Sequence, residues 1–239
     1  DKEIVAEVAK ITEPSMVKFE SGLRCGEIMT MGADVDESYL KDLLSLSLSP
    51  EMCRKHSDLK IVYTPLHGCG VRLVPEILKR LGFENIIHVP DQDVSDGNFP
   101  TVVSPNPEEP AALKMATDMA EKTGADLVMG TDPDADRLGI AVRDNEGRIV
   151  LLNGNQTASI LTYYILRRRA ELGTLGKGKY VVKTIVTTEL ISDICARFGV
   201  PVYNVLTGFK YIAEVVKRRE QLGEEFVCGG EESYGFNVG

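Results

Sequence analysis

Three carboxylates stand at alternate positions in the stretch Gly130-Thr131-Asp132-Pro133-Asp134-Ala135-Asp136-Arg137, and an arginine follows the third directly. Like charges this close repel one another unless a cation sits among them. An all-oxygen donor set suits Mg²⁺ or Ca²⁺ rather than Zn²⁺. The competing reading is a solvated acidic turn, since Asp-Pro and Asp-Ala are common loop pairs. The apolar residues 127–129 and 138–142 flank the stretch and read as short buried strands. They place the acidic loop at a strand end, where it would be held rigidly, and this favours a metal site for Asp132, Asp134 and Asp136.

Other spacings point to familiar chemistry and fail on particular residues. Asp132-x-Asp134-x-Asp136 starts like an EF-hand, but Arg137 takes the required glycine position and Arg143 the place of the closing glutamate. Residues 173–179 have P-loop spacing, yet Tyr180 replaces the Ser or Thr that would bind Mg²⁺, and the helix precedes the strand. His67-Gly68-Cys69-Gly70 has too few glycines for a dinucleotide fingerprint, and His67 is read as capping a turn. An acidic loop after an apolar strand is also similar to the nucleophile loop of haloacid-dehalogenase-type phosphatases. Those enzymes usually carry Thr or Val where this chain has Asp136, so a Mg²⁺-dependent phosphatase using Asp132 is the enzymatic alternative. A non-catalytic sugar- or metal-binding module is the other.

The elements that must position these residues alternate. Residues 60–63 read as a strand, 71–81 as a helix bent or shifted by Pro75, and 85–89 as a strand. An irregular loop spans 90–110, a helix 111–122, and a strand 126–129 feeds the acidic loop. Residues 144–148 form a tight polar turn, after which a second unit begins. It runs through a helix over 156–172, a strand over 179–186 and a helix capped by Thr187 or Thr188 and closed by Gly199. A strand over 202–206, a helix over 211–222 and a strand over 225–228 follow. The last strand delivers Gly229-Gly230-Glu231-Glu232-Ser233-Tyr234-Gly235. The run Arg167-Arg168-Arg169 reads as a solvated face. Strand–helix alternation at this spacing implies an α/β fold of two consecutive three-layer α/β/α domains of similar topology, each with a largely parallel sheet. The expected division is 1–35 as the end of a preceding domain or linker, 36–148 and 149–239. Ligands in such sheets gather at the carboxyl ends of the strands, where the acidic loop lies.

Composition bounds the partners. The chain has 239 residues, 43% hydrophobic, with a formal net charge of −9. That charge argues against nucleic acid or an anionic membrane as a general partner. No apolar run is long enough for a membrane span. Five cysteines at odd number and wide spacing, with no Cys-x-x-Cys, argue against a disulfide framework or zinc site and for a reducing, cytoplasmic setting. Both ends read as cut, the second soon after the Glu231–Ser233 motif.

The motifs together carry a specific resemblance. Residues 130–137 are similar to the metal-binding loop of the α-D-phosphohexomutase superfamily, the phosphoglucomutases, phosphomannomutases and relatives. Phe99-Pro100-Thr101-Val102 with Pro105-Asn106-Pro107-Glu108 resembles the segment before that loop. Thr64-Pro65-Leu66-His67-Gly68 resembles the opening of the second domain, and Gly230-Glu231-Glu232-Ser233 the sugar-binding loop. The combination looks closest to the branch holding phosphoglucomutases and phosphopentomutases. The resemblance implies that Asp132, Asp134 and Asp136 hold Mg²⁺, with a phosphoserine oxygen as the fourth ligand, and that Arg137 contacts the phosphoryl group. It implies that Glu231 and Ser233 hydrogen-bond sugar hydroxyls, that Thr207 and Gly208 approach the sugar, and that Lys210 contacts phosphate. The branch favours glucose 1-phosphate or a pentose phosphate as substrate.

Members of this family normally have four domains, and this chain resembles the second and third. No serine here has the His-Asn context of the phosphoserine loop. The expectation is a phosphosugar mutase whose domains I and IV lie outside these residues, and a fragment that does not turn over substrate by itself.

Overall fold

The structure is a computed structural model that describes residues 2–17, 19–26, 29 and 31–239. It has two compact units, Asp1–Asp42 and Leu43–Gly239. The first contains the short helices α1 (Lys2–Val8) and α2 (Phe19–Cys25) and most of α3 (Ala33–Ser45). The segment expected to be a linker or domain end, 1–35, thus includes helices, although residues 1, 18, 27, 28 and 30 lie outside the described ones.

The second unit opens with α4 (Pro50–Lys55) and builds a five-stranded sheet from β1 (Lys60–Thr64), β2 (Asn85–His88), β3 (Leu127–Thr131), β4 (Leu138–Arg143) and β5 (Ile149–Leu152). The strand order is β2-β1-β3-β4-β5. One face of it packs Val62, Val128 and Ala141 against Ala116 and Ala120 of α6 (Lys114–Thr123). The small side chains let the helix lie close to the strands. On the other face, Gly70 at the start of α5 (Gly70–Leu81) lies against Tyr63, which is why position 70 carries no side chain. Pro75 stands buried inside α5 and does not break it.

A second sheet follows, in the order β7-β6-β8-β9, from β6 (Lys179–Thr184), β7 (Val202–Val205), β8 (Glu225–Gly230) and β9 (Phe236–Val238). Helix α7 (Gly154–Glu171) and α8 (Leu190–Phe198) bury Ala158, Leu166, Ile191 and Cys195 against Val181, Val227 and Cys228. Helix α9 (Phe209–Glu220) packs Ile212 and Val215 against Tyr180 and Val182 on the opposite face. Both sheets are therefore the centres of α/β/α layers, and β7-β6-β8-β9 repeats β2-β1-β3-β4. The two-domain α/β/α expectation holds.

Several local expectations change. Neither sheet is largely parallel on its later side: β3–β4, β4–β5 and β8–β9 pair antiparallel. The loops joining them are too short for a crossover, so hairpins are the only closure. Residues 149–152, just after the 144–148 turn, belong to the first sheet. They form β5, whose Ile149 sits opposite Arg143, so we place the boundary between the sheets at Asn153 rather than at 148. Asn153 caps α7, accepting from Gln156 N while the Gln156 side chain accepts from Asn153 N. Helix α8 starts later than expected, with Glu189 as N-cap; Thr188 Oγ1 accepts from Leu190 N, and Thr187 turns inward. Of the arginine run, only Arg167 is largely exposed. Arg168 donates to Leu48 O and Arg169 to Glu225 and Gly239 O.

Candidate functional site

The β3–β4 and β8–β9 hairpins occupy equivalent places in the two repeats, and their turns carry the two acidic motifs. In the first turn Asp132 is 1% exposed. Its Oδ1 accepts from Arg137 N at 3.0 Å and its Oδ2 from Arg137 Nε at 2.7 Å. Burial by itself would raise the Asp132 carboxyl, but the hydrogen bonds and charge of Arg137 outweigh it and hold the group below the usual carboxylate range. Asp134 and Asp136 sit at the exposed rim. Asp136 is pushed upward by partial burial and by the charges of Asp132 and Asp134. That repulsion is what a bound cation would relieve.

Ligand oxygens of Asp132, Asp134 and Asp136 lie within 4.8 Å of one another. Oxygens sharing one Mg²⁺ at about 2.1 Å lie no more than about 4.2 Å apart. Three oxygens on one octahedral ion include cis pairs only about 3.0 Å apart, so the donor set fits Mg²⁺ once the exposed carboxylates of Asp134 and Asp136 draw in, and each engaged oxygen of Asp132 keeps a second lone pair. Ala135 turns the loop with φ of 60°. Non-glycine residues with positive φ cost roughly 1–3 kcal/mol each. Among the described residues these are Leu66, His67, Phe99, Ala135 and Tyr234, all in the loops that build or flank this end of the sheets.

The loop after β1 buttresses the metal loop. Cys69 N donates to Pro133 O at 2.9 Å, and a Cβ at Gly68 would meet that carbonyl oxygen at 2.5 Å. His67 is buried and takes no part in the cleft. Its Nδ1 donates to Val94 O at 2.9 Å, and its Nε2 shares a 2.7 Å hydrogen bond with Thr101 Oγ1. Gln92 ties Thr101 to Thr64 from the other side. The turn-capping reading of His67 is the one the contacts support. Asn106 Oδ1 accepts from Arg137 Nη1 at 3.4 Å, and a cleft of about 480 Å³ opens between Ser104, Pro105, Asn106 and the loop of Asp132, Asp134 and Arg137. A larger apolar groove of about 620 Å³ lies along α4 and α7 and contains none of these groups.

The second turn is built around Glu231, which is buried to 8% exposure. Its Oε1 accepts from Gly208 N at 2.6 Å and its Oε2 from Ser233 Oγ at 3.2 Å. Because Ser233 spends its proton on Glu231, both residues offer acceptors, so the pair is suited to a ligand that donates hydroxyl protons. The two turns are bonded to each other. Arg137 and Gly235 form an antiparallel bridge, and Leu138 N donates to Tyr234 O at 3.3 Å.

Asp132, Asp134, Asp136 and Arg137 are thus gathered in one loop, and Glu231, Ser233 and Gly208 in another beside it. Thr207 is exposed next to Gly208, and Lys210 lies at the start of α9 with Nζ 4.9 Å from the Tyr211 ring centroid. Neither belongs to the hydrogen-bonded cluster. Three participants went unmarked in the sequence. Glu232 accepts from Thr187 Oγ1 at 3.1 Å and Thr184 Oγ1 at 3.3 Å, pinning the second turn to the end of β6. Lys183 is fully buried, donating to Thr187 O and Glu189 Oε1. A lysine inside the apolar run of β6 is the signal that could have marked it. Tyr234 had no such signal, because its partners lie in the other sheet.

Family models agree with this arrangement. The model described as phosphoglucomutase/phosphomannomutase, alpha/beta/alpha domain II, matches residues 37–147, and that for domain III matches 153–239. The phosphoglucomutase of Staphylococcus aureus (strain MRSA252) is 41% identical over 180 residues, which are 75% of this chain and 32% of that protein. The chain therefore spans about a third of the length of the curated relatives it matches. Its fold is like that of a phosphoglucomutase/phosphomannomutase family protein from Burkholderia thailandensis, with TM-score 0.61 and 19% identity over 75% of this chain and 35% of the other. It is also like the N-acetylphosphoglucosamine mutase of Aspergillus fumigatus solved with GlcNAc-6P and magnesium, with TM-score 0.53 and 18% identity over 75% of this chain and 36% of the other. With both models falling on the two sheets in order, the chain belongs to the phosphoglucomutase/phosphomannomutase family and carries its domains II and III.

Proposed function

We propose that this chain forms two walls of the active site of a Mg²⁺-dependent phosphosugar mutase. The enzyme would move a phosphoryl group between the 1-hydroxyl and the 6- (or 5-) hydroxyl of a sugar, through an enzyme phosphoserine and a bisphosphorylated sugar. The observation that carries this reading is the bonded apposition of a three-carboxylate loop and a Glu231–Ser233 acceptor pair, joined at Arg137 and Gly235. Asp132, Asp134 and Asp136 would hold the metal. When bound, Mg²⁺ would draw charge from the phosphoryl oxygens and favour their transfer. Arg137 keeps Asp132 ionised and aimed, and its Nη1, only weakly held by Asn106, is placed to contact a phosphoryl oxygen. Glu231 and Ser233 accept from sugar hydroxyls and orient the ring, while Gly208 N fixes the Glu231 carboxylate. Thr207 and Lys210 would reach the sugar and its phosphate only from the rim.

Relatives at 41% identity are phosphoglucomutases, which supports glucose 1-phosphate as the first substrate to test, with mannose and pentose phosphates next. The phosphoserine and the group that clamps the second phosphate are not among these residues, and domains I and IV of the family would supply them. A cytoplasmic location belongs to the same proposal and is supported by five free cysteines. Among the described residues no helix is long and apolar enough to cross a membrane. The phosphatase alternative is weakened by Asp136, which stands where such enzymes usually carry Thr or Val. The test is a coupled assay for glucose 6-phosphate formed from glucose 1-phosphate. The intact protein should give Mg²⁺-dependent turnover, lost in Asp132→Asn, and residues 1–239 alone should give none. Phosphate release without isomerisation would support the phosphatase instead.

A further inference from the structure

Tyr234 makes bonds that contact with a sugar would not require. It is a bulky residue with φ of 67°, and it is 8% exposed. Its hydroxyl donates to Leu152 O at 2.6 Å, at the end of β5. Its carbonyl accepts from Leu138 N, the first residue of β4. The neighbouring Gly235 bridges to Arg137, and its carbonyl accepts from Glu231 N at 2.9 Å. The turn that carries Glu231 is therefore covalently part of the second sheet but hydrogen-bonded to the first. Direct bonds run from Asp132 to Arg137, across to Gly235 and back to Glu231.

We infer that Tyr234 is a positioning residue that registers the sugar loop against the metal loop, so that cation binding at Asp132 and hydroxyl binding at Glu231 are thermodynamically linked. The inference rests on the metal reading proposed above. A cation that draws on Asp132 also draws on Arg137, because Arg137 holds Asp132 at two points. The bridge to Gly235 passes that pull to Glu231, and linkage makes the effect reciprocal. Tyr234 is held in the left-handed region by its hydroxyl bond to Leu152. Without that bond the residue can relax to an unstrained conformation and release Leu138.

Backbone ¹⁵N NMR of the protein, titrated with Mg²⁺ alone, tests this. The amides of Arg137 and of Glu231, Tyr234 and Gly235 are expected to shift together with one midpoint. In Tyr234→Phe, which keeps the ring and deletes the hydroxyl bond, the Arg137 shift should persist while the Glu231 shift falls by half or more. An Arg137 shift with Glu231 and Gly235 unmoved in the unaltered protein overturns the linkage but leaves the metal reading standing. Absence of any shift at Arg137 overturns the metal reading and the inference with it. Equal shifts at Glu231 in the protein and in Tyr234→Phe overturn the role of Tyr234. The titration of the unaltered protein decides the linkage even where the variant does not fold.

Discussion

Gly68→Ala should damage the metal loop from outside it. A Cβ at position 68 would lie 2.3 Å from Pro133 Cα and 2.5 Å from Pro133 O, both backbone atoms that no rotamer change can move away. Ordinary contact begins at 3.4 Å, so Pro133 must retreat by about 1.1 Å. Overpacking of this kind costs roughly 1–3 kcal/mol. The retreat also breaks the bond from Cys69 N to Pro133 O, worth about 1 kcal/mol. The sum of ~2–4 kcal/mol corresponds to a fall in melting temperature of roughly 4–16 °C for a unit of this size. Pro133 lies between Asp132 and Asp134, and ligand positions must be held within about 0.2 Å, so Mg²⁺ affinity should fall roughly 10- to 100-fold. Thermal melts and Mg²⁺ titration calorimetry check both effects against Gly97→Ala, where a Cβ meets nothing within 4 Å. A Gly68→Ala protein indistinguishable from that control in both measurements would refute the packing argument.

Three further outcomes are expected. Asp132 has a depressed native pKa, so its stabilising contribution is complete above the unfolded value of about 3.9 and is lost as pH falls through the lower native value. Asp132→Asn should therefore be less stable near neutrality and lose less stability below about pH 4, and parallel acid limbs in denaturation curves would contradict this. His67→Ala should cost roughly 1–3 kcal/mol by removing its bonds to Val94 O and Thr101 Oγ1, the latter keeping its bond from Gln92, without changing Mg²⁺ affinity more than the loss of stability explains. Glu231→Gln should keep the fold, because the amide oxygen can still accept from Gly208 N while Ser233 Oγ turns to accept from the amide NH2, yet weaken sugar phosphate binding by about tenfold for one lost charge-assisted hydrogen bond. Unchanged affinity by calorimetry would remove Glu231 from the sugar contacts.

Local signals were readable in the sequence, and long-range pairings were not. The strand leads into the acidic loop, the Gly82 and Gly199 helix ends and the helical spacing of α5 depend on neighbours a few residues apart, and they stand where expected. The antiparallel half of each sheet depends on which strand a hairpin turns back upon, and short apolar runs such as 149–152 do not declare that. Arg168 and Arg169 looked solvated because three successive helical residues point apart. In the fold, two of those directions meet Leu48 O and Glu225. The carboxylates of the site were legible as a spacing and the Glu-x-Ser turn as a motif. The bridge of Arg137 to Gly235, which makes them one site, joins residues far apart in the chain and came only with the structure.

A crystal of the intact protein grown with Mn²⁺ and glucose 1-phosphate would test the central claim most directly. Anomalous density should fall among the carboxylate oxygens of Asp132, Asp134 and Asp136, with the sugar hydroxyls on Glu231 and Ser233 across the same cleft. Manganese bound away from the three aspartates, or a sugar bound away from the Glu231 turn, would contradict the account.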